Sequence, residues 1–266
     1  MAMHKEEAIG LPRRQRDIAS WIAIVLMGIW VPIFMIIETV IGVAIFPLLL
    51  VIWMLVTNWS FGKINRHFVW IYGRVWLWIV SPFIRLKCTV AKPDQINQPC
   101  IYVANHLSLF DIFFLSAMPV FAGVICLRSW PFKMLWFTPF MRFAEYLDVE
   151  HLSWEQILQQ IQRILNKGHS VMLFPQGHRS RDGRLTRFYS GAFKMAIQFK
   201  VPIVPICITG TDQMMPPGRL WMAPADVRVD CLEPIETEAF QTEMGHIELR
   251  KRVKKLMEDC FAKNQH

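Results

Sequence analysis

A nearly uncharged apolar run over residues 18–56 limits what this chain can fold into more than any other feature. Its only formally charged residue is Glu38. A helix needs roughly 20 apolar residues to cross the hydrocarbon core of a bilayer, so the run is about twice the required length. It is also far too long for a cleaved signal peptide. The rest of the chain is therefore expected to fold beside a membrane anchor.

The run is predicted to form a hairpin of two helices, over residues 18–37 and 39–56. Glu38 would lie at the bend, and Pro32 and Pro47 also suit a hairpin that enters only one leaflet.

Under the positive-inside rule, basic residues on both sides of the run place both of its ends in the cytoplasm. The chain is thus predicted to be an integral or monotopic membrane protein with its catalytic domain on the cytoplasmic face, at the inner membrane if the cell is bacterial. The basic residues are Arg13, Arg14 and Arg16 before the run and Lys63, Arg66 and Arg74 after it.

Composition favours lipid over nucleic acid as the partner of this basic chain. The formal net charge is +8, hydrophobic residues make up 53% of the chain, and eleven residues are Trp. An anionic membrane surface explains this combination better than nucleic acid does. The six cysteines stand singly, without zinc-type spacing, and we interpret them as reduced thiols. The sequence contains neither a His-Glu-x-x-His motif nor clustered carboxylates, so no metal site is predicted.

After the run, the pattern of an α/β domain begins near residue 87. Residues 68–86 are predicted to form a Trp-rich interfacial helix. We assign residues 1–67 to a membrane-anchoring helix pair and residues 68–266 to an α/β domain with a basic C-terminal helix. Short apolar runs predict strands, and amphipathic stretches predict helices. The strands are expected at 100–104, 170–174, 203–208 and 227–231, and the helices at 109–117, 153–166, 191–199 and 246–263.

His106 and Asp111 lie where an apolar strand is predicted to end and a helix to begin, in the segment Asn105-His106-Leu107-Ser108-Leu109-Phe110-Asp111. Open α/β sheets present reactive groups at that position. With His106 in the turn and Asp111 in the first helical turn, the carboxylate can reach one imidazole nitrogen while the other faces a substrate. Such an imidazole can take the proton from an alcohol that attacks a thioester. We interpret Ser108 as the helix N-cap and not as a nucleophile.

A second polar segment, Phe174-Pro175-Gln176-Gly177-His178-Arg179-Ser180-Arg181, follows another apolar strand. Gly177 permits a tight turn with exposed backbone amides. Arg179 suits bidentate recognition of a phosphate or carboxylate. The segment therefore predicts an anion site. The alternative is a solvated basic loop in which His178 is an ordinary surface histidine.

These blocks resemble the glycerolipid acyltransferases of the 1-acylglycerol-3-phosphate acyltransferase (PlsC) type. The signature of that family is Asn-His-x-x-x-x-Asp, followed by Phe-Pro-Glu-Gly-Thr-Arg-Ser and then by a Val-Pro-Ile-Val-Pro strand. Residues 105–111 match the first block in full, 174–180 match the second except at Gln176 and His178, and 201–206 match the third. Three blocks in the same order are far more specific than any one of them. The resemblance covers roughly residues 68–235.

The resemblance implies a central mixed β-sheet flanked by helices, behind an N-terminal hydrophobic helix hairpin embedded in the membrane. It implies transfer of a fatty acyl group from acyl-CoA or acyl-carrier protein to the hydroxyl of lysophosphatidic acid or another lysophospholipid, in phospholipid synthesis or remodelling, without a cofactor. Membrane phospholipids would surround the anchor. The resemblance also implies that His106 is the general base and that Asp111 is its partner. The acceptor phosphate would lie at Gln176, Gly177, His178 and Arg179, with Asn105, Ser108 and Pro175 in support.

Three departures from the family pattern concern the acceptor. A block between the first two usually ends in an Arg that helps to bind the acceptor phosphate, but the corresponding stretch here ends in Glu150. Gln176 replaces the usual Glu, and His178 replaces the usual Thr. Phosphate binding could survive in a rearranged pocket, or the acceptor could be another lyso-lipid such as an amino-acid lipid. A non-catalytic lipid-binding relative is a further alternative, against which the joint presence of His106 and Asp111 argues. The oligomeric state is not predicted.

Overall fold

The computed structural model describes residues 17–96, 99–118, 123–133 and 138–264. The arginines at positions 13, 14 and 16 and the predicted start of the anchor at residue 1 lie outside these ranges.

The apolar run forms helix α1 (Ile18–Val56), which is continuous over 39 residues. The prediction of a hairpin within residues 18–56 is therefore wrong, since Pro32 and Pro47 both lie inside the helix. Beside the expected bend, the Thr39 hydroxyl donates to the carbonyl of Met35 at 2.7 Å and lies 2.8 Å from the Tyr72 hydroxyl. The contact between Thr39 and Tyr72 joins the middle of α1 to the next helix.

Helix α2 (Phe61–Val80) runs back along α1 after a connection at residues 57–60. The Trp30 indole donates to the carbonyl of Ile79 at 3.0 Å, while the rings of Phe46 and Phe68 lie 4.8 Å apart. Later residues of α1 thus meet earlier residues of α2, and the two helices are antiparallel. The helix pair is formed by α1 and α2, and not by two halves of the apolar run.

Among the described residues, α1 is the one helix long and apolar enough to cross a membrane. Only 6% of its most apolar 18-residue window is buried. At about 1.5 Å per residue its length is about 58 Å, roughly twice the thickness of a hydrocarbon core. An outward-facing apolar surface of this extent favours contact with lipid.

Within the described residues, seven strands form one sheet in the order β1-β7-β6-β2-β5-β3-β4. β6, β2, β5, β3 and β4 run parallel, β7 is antiparallel to β6, and β1 is parallel to β7. The mixed α/β architecture implied by the resemblance is confirmed. The strands are β1 (Ile84–Val90), β2 (Ile101–Ala104), β3 (Val124–Leu127), β4 (Leu147–Asp148), β5 (Val171–Leu173), β6 (Ile203–Thr209) and β7 (Ala225–Cys231).

In the described part of the chain, six further α-helices connect or cover these strands. The predicted strands 100–104, 170–174, 203–208 and 227–231 correspond to β2, β5, β6 and β7. The predicted helices 153–166, 191–199 and 246–263 correspond to α5, α6 and α8, and Ser153 forms a capping box with Gln156 at the start of α5. The helices are α3 (Asp111–Phe114), α4 (Thr138–Phe143), α5 (Trp154–Asn166), α6 (Gly191–Phe199), α7 (Thr211–Met214) and α8 (Gly245–Asn264).

Helix α2 joins the apolar helix α1 to the α/β domain. The ring of Trp76 is nearly parallel to that of Phe110, at 5.2 Å and 9°. Gly73 approaches Ser116 so closely that a Cβ would lie 2.0 Å from its hydroxyl. The predicted domain boundary between residues 67 and 68 falls inside this helix. The predicted interfacial helix over residues 68–86 is wrong at its C-terminal end, because α2 ends at Val80 and residues from Ile84 onward pair with β7.

Gly210→Ala is expected to lower the unfolding temperature well below that of Gly218→Ala. Both glycines have φ of +87°, so both variants incur the same left-handed backbone penalty of about 1 kcal/mol or more. A Cβ at Gly210 would lie 1.9 Å from the carbonyl oxygen of Asp226, whereas at Gly218 nothing lies within 4 Å. A further loss of about 5 °C or more is expected at Gly210, on a scale of roughly 2–4 °C per kcal/mol. Thermal unfolding in detergent measures it, and equal losses would contradict the argument.

Candidate active site

Polar residues from several distant segments meet at the C-terminal edge of the parallel strands. His106 follows β2, and the segment containing Gln176 and Arg179 follows β5, which is the neighbour of β2. Adjacent strands lie about 4.8 Å apart, so the ends of these two strands are close together. The backbone amide of Ser180 donates to the carbonyl of His106 at 2.8 Å. The two constellations predicted from the sequence therefore form one site.

The carboxylate of Asp111 is fully buried and accepts hydrogen bonds on both of its oxygens. Its Oδ2 accepts from the backbone amides of Leu107 at 2.6 Å and Ser108 at 2.9 Å. The same oxygen lies 2.8 Å from Nδ1 of His106. Its Oδ1 accepts from the hydroxyl of Thr211 at 2.6 Å. A carboxylate that receives this many donors is held in one orientation.

The imidazole of His106 is oriented by this carboxylate. Because Asp111 is an acceptor in its other hydrogen bonds, we assign the proton to Nδ1 of His106, which leaves the Nε2 lone pair for a substrate. The ring packs on Phe174, with centroids 4.4 Å apart and an interplanar angle of 29°. The His106 side chain is 22% exposed, so it is held by the protein but still open to solvent on one side. The contact predicted between residues 106 and 111 is present.

Gln176 is fully buried, and both ends of its amide are engaged within the protein. Its Oε1 accepts from the backbone amide of His106 at 2.8 Å, and its Nε2 donates to the Thr186 hydroxyl at 2.8 Å. The sequence predicted that this side chain contacts the acceptor. The structure instead encloses the Gln176 side chain in the protein, where it supports the backbone of His106.

The three residues that follow Gln176 face outward. Gly177 and His178 are exposed, and Arg179 is partly exposed. Gly177 has φ of +70°, which the turn requires, and a Cβ there would lie 3.2 Å from the ring of Tyr189. His178 Nδ1 lies 3.4 Å from the carbonyl of Arg179. Within the described part of the chain, the Arg179 guanidinium makes no hydrogen bond or ion pair, so its charge is open to an anionic ligand.

The supporting residues named from the sequence serve as structural links. The Asn105 side chain donates to the carbonyl of Ile208 and accepts from its amide, each at 2.7 Å, which joins the end of β2 to β6. Pro175 is buried, and its carbonyl accepts from the amide of Tyr189 at 2.8 Å. The prediction that Ser108 is the helix N-cap is wrong, because α3 begins at Asp111 with Phe110 as its cap. Its hydroxyl donates instead to the carbonyl of Met215 at 2.8 Å.

An ion pair lies farther along the same sheet edge. Arg128 follows β3 and Glu150 follows β4, and their side chains meet at 2.6 Å. The hydrogen bond from Arg128, together with one from the backbone amide of Ser129 at 3.0 Å, lowers the pKa of Glu150 to about 2. Glu150, which stands where the family usually has an Arg, is therefore paired with a cation.

Thr211 is the site residue that sequence reasoning missed. It lies 100 positions from Asp111, immediately after Gly210, and no local pattern relates the two. The next residue, Asp212, is partly buried, and burial followed by the nearby charge of Asp111 raises the pKa of its carboxyl. Among the described residues, no group of three or more His, Cys, Asp or Glu side chains is arranged to hold a metal ion.

Comparisons with known proteins agree with this architecture. Residues 87–209 match the family described as Acyltransferase. The chain is 32% identical, over 66% of its length, to the chloroplastic 1-acyl-sn-glycerol-3-phosphate acyltransferase BAT2 of Brassica napus, and 26% identical, over 72%, to that of Cocos nucifera. It spans 52% and 63% of the lengths of these two relatives. The crystal structure of the 1-acyl-sn-glycerophosphate acyltransferase PlsC from Thermotoga maritima has the same fold, with a TM-score of 0.65, 21% identity and coverage of 87% of this chain and 97% of that one.

The segment that contains His106 and Asp111 therefore lies within the part of the chain that is similar to the acyltransferase family, residues 87–209. Its relatives in Brassica and Cocos are named as 1-acyl-sn-glycerol-3-phosphate acyltransferases, which are enzymes.

Gln176→Met is expected to destabilise the protein more than Gln176→Glu. Met has a similar length but cannot accept from the His106 amide, and a buried polar group left without a partner costs about 1–3 kcal/mol. Glu keeps an acceptor for that amide, and the Thr186 hydroxyl can turn to donate to its second oxygen. The unfolding temperature in detergent should fall by several degrees for the Met variant, at roughly 2–4 °C per kcal/mol. Equal losses in the two variants would contradict the assigned support role.

Proposed function

We propose that this protein is a membrane-bound O-acyltransferase that transfers a fatty acyl group from a thioester donor to the hydroxyl of a lysophospholipid. The observation that supports this best is the imidazole of His106, held by the buried carboxylate of Asp111 at the C-terminal sheet edge of an acyltransferase-family domain. The donor is acyl-CoA or an acyl-carrier protein, and the reaction uses no cofactor.

The geometry supports a direct transfer with His106 as the general base. Nε2 of His106 removes the proton of the acceptor hydroxyl while that oxygen attacks the thioester carbonyl. The tetrahedral intermediate then collapses, the carbon–sulfur bond breaks, and the proton on Nε2 passes to the departing thiolate. Asp111 stabilises the imidazolium between these steps and keeps the ring in one tautomer. The products are the acylated lipid and a free thiol, without a covalent enzyme intermediate.

The loop from Gly177 to Arg179 is the proposed site of the acceptor phosphate. It follows β5, next to the strand that leads to His106, so a headgroup bound there lies beside the base. Arg179, whose guanidinium has no hydrogen bond or ion pair among the described residues, supplies a cation for the phosphate. Lysophosphatidic acid is the first candidate acceptor, because the Brassica and Cocos relatives are named for acting on 1-acyl-sn-glycerol-3-phosphate.

The Arg128–Glu150 ion pair favours a second candidate acceptor. Glu150 engages the guanidinium of Arg128, which reduces the positive charge available to a phosphate monoester at that part of the edge. A lyso-lipid whose headgroup carries an amine as well as an anion, such as an amino-acid lipid, would suit a site with both charges. A panel of acceptors distinguishes the two candidates.

Membrane attachment is proposed through α1, with the catalytic domain on the cytoplasmic face. Ile29→Asp, Ile36→Asp and Val43→Asp replace apolar side chains that are 56%, 62% and 49% exposed. A carboxylate in the hydrocarbon core costs about 2.5–3.5 kcal/mol, so the triple variant should bind lipid far less. In vesicle flotation with phosphatidylethanolamine and phosphatidylglycerol, wild type and the control Leu256→Asp in α8 should float. Flotation of the triple variant like wild type would contradict attachment through α1.

The catalytic proposal is tested by the release of free thiol. Protein in detergent, supplied with palmitoyl-CoA and a panel of lysophosphatidic acid, other lysophospholipids and an amino-acid lyso-lipid, should release CoA only when an acceptor is present. His106→Ala should lower the rate about 10²- to 10⁴-fold, which is the usual contribution of a general base.

The control for this test is His246→Ala, which removes a histidine of α8 and should leave the rate unchanged. Circular dichroism of each variant checks that it is folded. Equal rates for wild type and His106→Ala would refute the base assignment. Lack of acceptor-dependent thiol release with every lipid and with both acyl-CoA and acyl-carrier protein would refute the activity itself.

A further inference from the structure

Three residues of the loop that holds His106 and Asp111 form hydrogen bonds with one distant segment, residues 208–215. Asn105 exchanges two hydrogen bonds with Ile208. The Ser108 hydroxyl donates to the carbonyl at position 215. Asp111 accepts from Thr211. This segment comprises the end of β6 and helix α7, so the position of the whole loop depends on where β6 ends.

Of these three contacts, that of Thr211 acts directly on the carboxylate. The Thr211 hydroxyl is fully buried and donates to Oδ1 of Asp111 at 2.6 Å. The other three donors, including Nδ1 of His106, all meet Oδ2. The terminal torsion of an Asp side chain has a broad energy minimum, so contacts on one oxygen alone hold the carboxylate plane weakly. A short hydrogen bond on the opposite oxygen holds that plane and thereby directs Oδ2 at Nδ1.

The backbone around Thr211 keeps its hydroxyl in place. Gly210, with φ of +87°, forms the turn between β6 and α7 and packs against the carbonyl of Asp226. The carbonyl of Thr211 accepts from the amide of Met215 at 3.0 Å, which closes the turn of α7. The donor therefore approaches Asp111 from a rigid part of the fold.

We propose that Thr211 is a positioning residue for acyl transfer, because its hydroxyl fixes the Asp111 carboxylate and, through it, the direction in which His106 presents Nε2. This inference rests on the proposed function. In the proposed scheme Thr211 acts through Asp111 and contacts neither the acyl donor nor the lysophospholipid acceptor.

Thr211→Val keeps the shape of the side chain and removes the donor. Its kcat is expected to fall about 10- to 100-fold, on the scale of a lost hydrogen bond to a charged group, while KM for both substrates stays within about twofold. Thr211→Ser keeps the hydroxyl and should recover most of the wild-type kcat. The matched control is Thr237→Val, which changes another buried threonine whose hydroxyl donates to the carbonyl of Val201. Its kcat should stay at the wild-type value.

A double-variant comparison tests whether Thr211 acts through Asp111. In an Asp111→Asn background, Thr211→Val should cause little further loss of kcat, because the oriented charge is already gone. Full additivity of the two losses would overturn the proposal, and so would a wild-type kcat in folded Thr211→Val. If the Val variant does not fold, Thr211→Ala compared with Thr211→Ser decides the same question, and equal kcat for those two would overturn it.

A measurement without turnover separates this inference from the proposed function. The proton on Nδ1 of His106 should give a strongly downfield NMR resonance that moves or broadens in Thr211→Val and returns in Thr211→Ser. Wild type without any acyltransferase activity would refute the proposed function, while this resonance would still report on Thr211. An identical resonance in wild type and Thr211→Val would overturn the positioning role.

Discussion

The buried carboxylate of Asp111 is the interaction on which the rest of the site depends. A buried charge is tolerated only when hydrogen bonds replace the water that it has lost, and the structure supplies donors to both carboxylate oxygens. Two of the donors are backbone amides of the same loop, one is His106, and one is Thr211, two residues after the end of β6. The order of the central strands makes this convergence possible, because β2 lies between β5 and β6. Removing any one of these segments would leave a buried group without its partner.

The same loop is also tied to the apolar part of the chain. Phe110, the residue before Asp111, packs against Trp76 of α2, and α2 runs antiparallel to α1. The helix that follows the apolar run is therefore a wall of the domain that bears the site, and not a detachable linker.

Sequence reasoning succeeded where the signal was local. The periodicity of α5, with a Ser153–Gln156 capping box, and that of α8 were enough to place both helices. The contact between His106 and Asp111 could also be predicted, since it spans only five residues. Other parts were missed because their signal lies elsewhere in the chain. β3 and β4 are four and two residues long and become strands only through their partners. The predicted break at Glu38 is wrong, because α1 continues without interruption from Ile18 to Val56.

The sequence by itself determined the apolar helix, the α/β class, the acyltransferase resemblance and the local pairing of His106 with Asp111. Hydropathy, capping and hydrogen bonds between near neighbours are encoded within a few residues, so they can be recognised without the fold. Only the tertiary structure decided that the Gln176 side chain accepts from the His106 amide, that the Thr211 hydroxyl donates to Asp111, and that α2 is the antiparallel partner of α1. These contacts join residues that are 70 and 100 positions apart, or two whole helices. Their partners are set by strand order and packing, which no linear spacing expresses.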